Sequence, residues 1–161
     1  MNKVLRKAVR CYLIKDNKVV AIKYNKGNKK AGYYDIPGGK IEENELPKQT
    51  VIREMKEETG IDVKSLQHKG VMKIEYPDRI FLFEIFFSNE YSGEPKIVEE
   101  NTSQWIDIDD LLREEKILSN IIVLNKFFIK GLIDDNCKFS MSIIVDEQEN
   151  ILSLKYDISE I

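Results

Sequence analysis

Apolar and polar positions alternate over short stretches through the first part of the chain, which predicts strands. Ala8 to Ile14 is one, Asp16-Asn17 a turn, and Val19 to Tyr24 its partner. Asn25 to Gly32 is a polar loop rich in Lys and Gly, and Tyr33 to Ile36 is a short extended piece ending at Pro37-Gly38-Gly39. The period then changes. Ile52, Met55 and Thr59 recur at helical spacing and predict one buried face, with Asn44 as cap, Pro47 in the first turn and Gly60 as stop. Lys69 to Glu75 and Ile80 to Phe87 predict two strands around Tyr76-Pro77-Asp78. Ser88 to Asn101 reads as a loop, Ser103 to Ile108 as a strand, and Asp109 to Arg113 as a helical turn. Ile121, Leu124, Phe128 and Leu132 form the stripe of a second helix, Asn120 to Leu132. Lys138 to Val145 and Ile151 to Tyr156 predict a closing β-hairpin. The pattern predicts a single α/β domain over 1–161, with 137–157 as a C-terminal hairpin extension.

Composition narrows the function classes. With 161 residues, 42% of them hydrophobic and 33% charged, the chain can bury a core. A net charge of −3 argues against a nucleic-acid polymer as partner, because backbone binding needs a strongly basic face. It leaves room for a small phosphorylated ligand held by a few local cations. The basic N-terminus is followed only by the short apolar run Cys11 to Ile14, which is no signal segment, and no stretch approaches a membrane span. Cys11 and Cys137 are far apart and read as reduced thiols, so a cytoplasmic location is expected, with no membrane partner and a monomer or homodimer.

The chemistry concentrates between Gly39 and Ile61. On a helix, Glu54, Glu57 and Glu58 stand at i, i+3 and i+4 and share one face. Their repulsion gains the helix nothing in water, and a hard divalent cation such as Mg²⁺, which takes carboxylate and phosphate oxygens, relieves it. Gly38-Gly39 allow close backbone approach to a ligand, and the helix N-terminus with Lys40 adds positive character suited to phosphate. Solvent exposure alone also produces acidic helix faces. The longer spacing decides between the two. Gly39, five residues, Glu45, seven residues, then Arg53-Glu54-Met55-Lys56-Glu57-Glu58-Thr59-Gly60-Ile61 fixes seven identities. At roughly 5–7% usage each, a chance match in this chain falls below about one in a million.

This segment resembles the Nudix box, with every fixed position filled, and the order of strands, loop and second helix is similar to the Nudix fold. The resemblance implies a mixed β-sheet sandwiched between helices, with the hairpin appended. It implies an enzyme that hydrolyses a nucleoside diphosphate linked to another moiety, using Mg²⁺ or Mn²⁺. Carried onto this chain, Glu54, Glu57 and Glu58 are metal ligands, together with the carbonyl of Gly39. Glu54 also activates the attacking water, while Arg53 and Glu45 pair and position the helix. Lys23 and Lys40 are expected to steady phosphates. The resemblance to MutT-type members further implies Glu99, six residues before Trp105 (or its neighbour Glu100), as an added ligand or base. It also implies Asn120, fifteen residues after Trp105, as a base-reading amide, although the same Asn suits a helix N-cap. His68 matches no role.

The leading expectation is a MutT-like hydrolase of a nucleoside triphosphate, 8-oxo-dGTP or another dNTP, giving a monophosphate and pyrophosphate. The alternative is a pyrophosphatase for a nucleoside diphosphate sugar of the ADP-ribose type. Pro77, about sixteen residues past the box, suits that class, yet it also reads simply as a turn residue. A nucleotide-binding regulator without catalysis is the third reading, and the complete set of box glutamates argues against it.

Overall fold

The computed structural model describes residues 2–98, 101–114, 131–134 and 136–160. Its backbone is a nine-stranded mixed sheet. The strands are β1 (Val4–Lys15), β2 (Lys18–Tyr24), β3 (Tyr34–Asp35), β4 (Gly38–Lys40), β6 (Gln67–Glu75), β7 (Arg79–Ser88), β9 (Asn101–Asp107), β10 (Cys137–Val145) and β11 (Ile151–Glu160). Two further short strands, β5 (Asp62–Val63) and β8 (Tyr91–Ser92), pair with each other. The helices are α1 (Pro47–Thr59) and α2 (Ile108–Leu112). The sheet order is β11-β10-β6-β7-β1-β2-β3, with β4 added on β1 and β9 on β2.

β1 is the organising strand. It runs parallel to β7 from Val4↔Arg79 to Leu13↔Ser88 and takes β4 antiparallel through Ala8↔Lys40, Val9↔Gly39 and Arg10↔Gly38. It then turns into β2 at Asp16-Asn17, both with positive φ (51° and 61°), the geometry that a two-residue hairpin turn requires. Its side chains divide by parity between two cores. Val9, Cys11 and Leu13 pack with Val20, Val51, Met55 and Phe86 under α1, and Ala8, Tyr12 and Ile14 join Met72, Ile85, Leu111 and Leu132 on the other face. Both cysteines are free thiols, and burial pushes that of Cys11 up to about 12.

Several expected elements change in detail. The predicted loop Ser88 to Asn101 carries β8, which Asp62–Val63 pairs. Asn44 does not cap α1. It takes a left-handed turn (φ 64°), and the helix starts after Leu46, whose N–H donates to Gln49 Oε1 at 2.8 Å. Pro47 opens the first turn, and Gly60 closes the helix at φ 78° with its N–H on the Lys56 carbonyl at 3.0 Å, the left-handed stop that glycine adopts without strain. The buried face also shifts. Met55 and Thr59 are buried as expected, but Ile52 is 49% exposed, and Thr50 and Val51 take its place. The antiparallel hairpin of β10 and β11 forms, and β10 lies parallel on β6. The predicted helix Asn120 to Leu132 lies almost wholly outside the described residues. Its end, 131–133, is helical, and Leu132 is buried.

The shifted helix face is open to measurement. Met55→Ala leaves a cavity in a side chain with 0% exposure and costs about 2–5 kcal/mol in urea unfolding, whereas Ile52→Ala changes stability by about 0.5 kcal/mol or less. Equal losses contradict the orientation of α1.

Candidate active site

The sheet brings β4 against α1, and two glycines set how close they come. An ideal Cβ on Gly39 lies 2.4 Å from the Cδ and Oε1 of Glu54, and one on Gly38 lies 2.0 Å from the Val9 carbonyl oxygen. A side chain at Gly38 would strike the backbone of β1, and one at Gly39 would displace the Glu54 carboxylate. Through this approach the Gly38 N–H donates to Glu58 Oε1 at 3.1 Å. Burial, and then the Glu54 carboxylate, drive the Glu58 pKa up to about 9, against the pull of the Arg10 guanidinium.

Arg53 fixes the other carboxylates. Its Nε and Nη2 donate to the two oxygens of Glu45 at 2.8 and 2.9 Å, a bidentate fork. Nη1 donates to Glu54 Oε1 at 2.9 Å and to Glu57 Oε2 at 3.3 Å, and Nη2 also reaches the Lys40 carbonyl at 3.2 Å. Hydrogen bonds from Arg53, then Thr50, hold Glu45 down at about 2. One arginine therefore clamps the loop before α1 to the acidic face of the helix.

The three glutamates are not equivalent. Glu54 and Glu58 meet at the Gly38–Gly39 strand, while the Glu57 side chain is 59% exposed and turned to Arg53. Among the described residues no group of three or more His, Cys, Asp or Glu gathers closely enough to hold an ion. The chemistry of Glu54, Glu58 and the backbone of Gly39 still fits a hard divalent cation. Two carboxylates share a desolvated space where one is forced to keep its proton, and positive charge is what would stabilise both as anions.

Beside this lie two adjoining cavities, the lobes of a cleft, which share a wall of residues that the sequence pattern did not single out. One lobe, of about 430 Å³, runs past Gly39 and Lys40. The other, of about 510 Å³, is bounded by Tyr24, Lys30, Asp35, Tyr76 and Glu149. Arg10, Arg79, Phe81 and Phe83 line both. Arg10 sits on a strand whose neighbours of the same parity are apolar, so a cation in that register was the available signal. Its guanidinium lies 4.4 Å above the Phe83 ring, Nη1 donates to the Val9 carbonyl at 3.1 Å, and Nη2 lies 3.8 Å from Asp35 Oδ2. Asp35 in turn accepts from Tyr24 Oη at 2.8 Å and from the Ile36 N–H at 2.8 Å. The Arg10 Nε is buried and makes no hydrogen bond among the described residues. Arg79 stands 4.2 Å from the Tyr76 ring centre and 5.8 Å from that of Phe81, and Phe81 stacks on Phe83.

Of the expected phosphate contacts, Lys40 lines the cleft and Lys23 does not. Lys23 is exposed on β2, with its Nζ 5.3 Å from the Tyr34 ring. Glu99, Glu100 and Asn120 lie outside the described residues. His68 packs edge-on to Phe86 and pairs with Glu84 on the sheet.

Glu58 makes stability depend on pH. Its folded pKa near 9 lies above the ordinary 4.5, so its contribution is complete below about 4.5 and is lost as pH rises through about 9. In metal-free protein, Glu58→Gln keeps the acceptor for Gly38 N–H. It is expected to raise the melting temperature at pH 8 and to flatten the decline between pH 5 and 9. A wild-type profile that matches the variant's contradicts the assignment.

A family model described as "NUDIX domain" matches residues 4–126. The chain is 38% identical over 63 residues to the 8-oxo-dGTP diphosphatase of Proteus vulgaris, covering 39% of this chain and 56% of that one. It is 31% identical over 96 residues to the 8-oxo-dGTP diphosphatase of Escherichia coli (strain K12), covering 60% of this chain and 74% of that one. The crystal structure of the mutator MutT protein from Bacillus halodurans superposes with a TM-score of 0.76 at 24% identity, over 94% of this chain and 97% of that one. The clamp of Arg53 on Glu45 and the glycine strand against Glu54 and Glu58 thus sit inside the matched segment, and the chain belongs to the Nudix family.

Proposed function

We propose that this protein hydrolyses a nucleoside triphosphate to a nucleoside monophosphate and pyrophosphate, in the manner of MutT, with oxidised dGTP the first substrate to try. The observation that carries the reading is a shared wall between two cavities at the glycine strand. Arg10, Arg79, Phe81 and Phe83 line both the aromatic cavity and the one bounded by Gly39, the residue against which Glu54 packs. The names of the relatives from Proteus vulgaris and Escherichia coli support the same substrate class. Among the described residues no helix is long and apolar enough to cross a membrane.

In this reading Glu54 and Glu58, the Gly39 carbonyl and, from the rim, Glu57 would hold Mg²⁺ or Mn²⁺, with Glu99 as a further ligand or base. When bound, the ion neutralises phosphate charge and lowers the pKa of a coordinated water. The chain's own groups do the rest. Arg10 and Arg79 hold phosphate oxygens from the floor of the cleft, and Lys40 does so from its edge. Glu54 takes the proton of the attacking water as the new P–O bond forms and pyrophosphate leaves. Arg53 keeps the Glu54 carboxylate aimed through its 2.9 Å hydrogen bond. Phe81 and Tyr76, set edge to face, form an aromatic wall against which a base would rest.

Incubation with Mg²⁺ and a panel of 8-oxo-dGTP, the normal dNTPs and ADP-ribose tests this. The expected products are a monophosphate and pyrophosphate from a triphosphate, with kcat reduced by about 10²-fold or more in Glu54→Gln. Cleavage of ADP-ribose to two monophosphates with triphosphates untouched contradicts the proposal, as does equal activity of wild type and Glu54→Gln.

A further inference from the structure

The hairpin of β10 and β11 lies outside the family-matched segment, yet its tip forms part of the cleft. Asp146 holds the tip rigid. Its carboxylate accepts from the backbone N–H groups of Gln148 and Asn150 at 2.9 Å each, and from Asn150 Nδ2 at 3.1 Å. The Asp146 N–H donates to the Asn150 carbonyl at 3.0 Å, and its carbonyl accepts from Glu149 N–H at 3.1 Å. Glu149 is left with φ 63° and its carboxylate at the cleft wall, 3.6 Å from Lys30 Nζ on the opposing loop.

Two described carboxylates line this lobe, Asp35 and Glu149. Asp35 is buried beneath Arg10 and engaged by Tyr24 and Ile36. Glu149 is the partly exposed one, with 32% of its side chain accessible, and the ion pair of its Oε1 with Lys30 leaves acceptor lone pairs on both carboxylate oxygens. A carboxylate offers two adjacent acceptors and no donor. Its complement is an edge with two adjacent donors. Among the common bases guanine has that edge, the ring N1–H beside the exocyclic amine, and oxidation at C8 leaves it unchanged. Adenine and cytosine set a ring acceptor next to the amine, and thymine flanks its single N–H with carbonyls.

We infer that Glu149 is a specificity-determining residue that accepts both donors of a guanine-type Watson–Crick edge, while the base rests against the wall of Tyr76 and Phe81. The assignment rests on the triphosphate reading above for its place in catalysis, but its recognition step is measurable without turnover. The test is calorimetric titration of the metal-free protein with dGMP and with dAMP. Wild type is expected to favour dGMP about tenfold or more. Glu149→Gln is expected to lower dGMP affinity by about tenfold while changing that for dAMP by no more than about twofold, because the amide puts a donor against a donor. Lys30→Met removes the ion pair but leaves the carboxylate, and is expected to keep the preference for dGMP. Three results overturn the inference: no preference in wild type, an unchanged preference in Glu149→Gln, or a loss in Lys30→Met equal to that in Glu149→Gln. A preference for dGMP in a protein that cleaves no triphosphate upholds Glu149 and defeats the proposed reaction instead.

Discussion

The site depends on one steric fact, the approach of a glycine strand to a glutamate-bearing helix. β4 pairs with β1 through Gly38 and Gly39; a Cβ at Gly38 would strike the Val9 carbonyl, and one at Gly39 would push the Glu54 carboxylate out of place. The same approach directs the Gly38 N–H onto Glu58 and places two carboxylates in a space with little water. Packing thus becomes electrostatics. The helix is anchored by Val51 and Met55 on its buried side, so its acidic side cannot rotate away from the strand to relieve the repulsion.

Two arginines manage the charge differently. Arg53 works at the surface and spends its donors on Glu45, Glu54, Glu57 and a backbone carbonyl, which sets the angle of α1 against the loop before it. Arg10 works beneath the cleft. Burial alone would lower its pKa, but Asp35, then Tyr24 and Glu58, more than offset this, and it stays cationic above Phe83. With Arg79, Lys29, Lys30 and Lys40 around the same cleft, a chain of net charge −3 presents a locally basic trough.

The strand pairs, α1 with its Gly60 stop, and the terminal hairpin were legible because each is local. They follow from alternation, helical period and turn residues within a few positions. What failed was also local but ambiguous. Ile52 and Val51 are adjacent and both apolar, and only the docking of α1 on β1 and β2 decides which is buried. Asn44 suits a cap or a left-handed turn equally well, and the chain uses the turn. The box glutamates could be read as a set, but their inequality could not, since Glu57 is separated from Glu54 and Glu58 by where Arg53 and β4 stand. The cleft was the least legible part. Arg10, Asp35, Arg79, Phe81 and Glu149 come from β1, β3, β7 and the hairpin tip, and only the parallel pairing of β1 with β7 and of β10 with β6 brings them together.

Burial, and then the nearby Glu54 carboxylate, keep Glu58 protonated at neutral pH, and a divalent cation is the natural replacement for that proton. Calorimetric Mg²⁺ titration at pH 7.5 in buffers of different ionisation enthalpy measures the protons released on binding. Release of nearly one proton per protein is expected in wild type and almost none in Glu58→Gln. Mg²⁺ binding with no proton release in wild type, or the same release in both proteins, would contradict it.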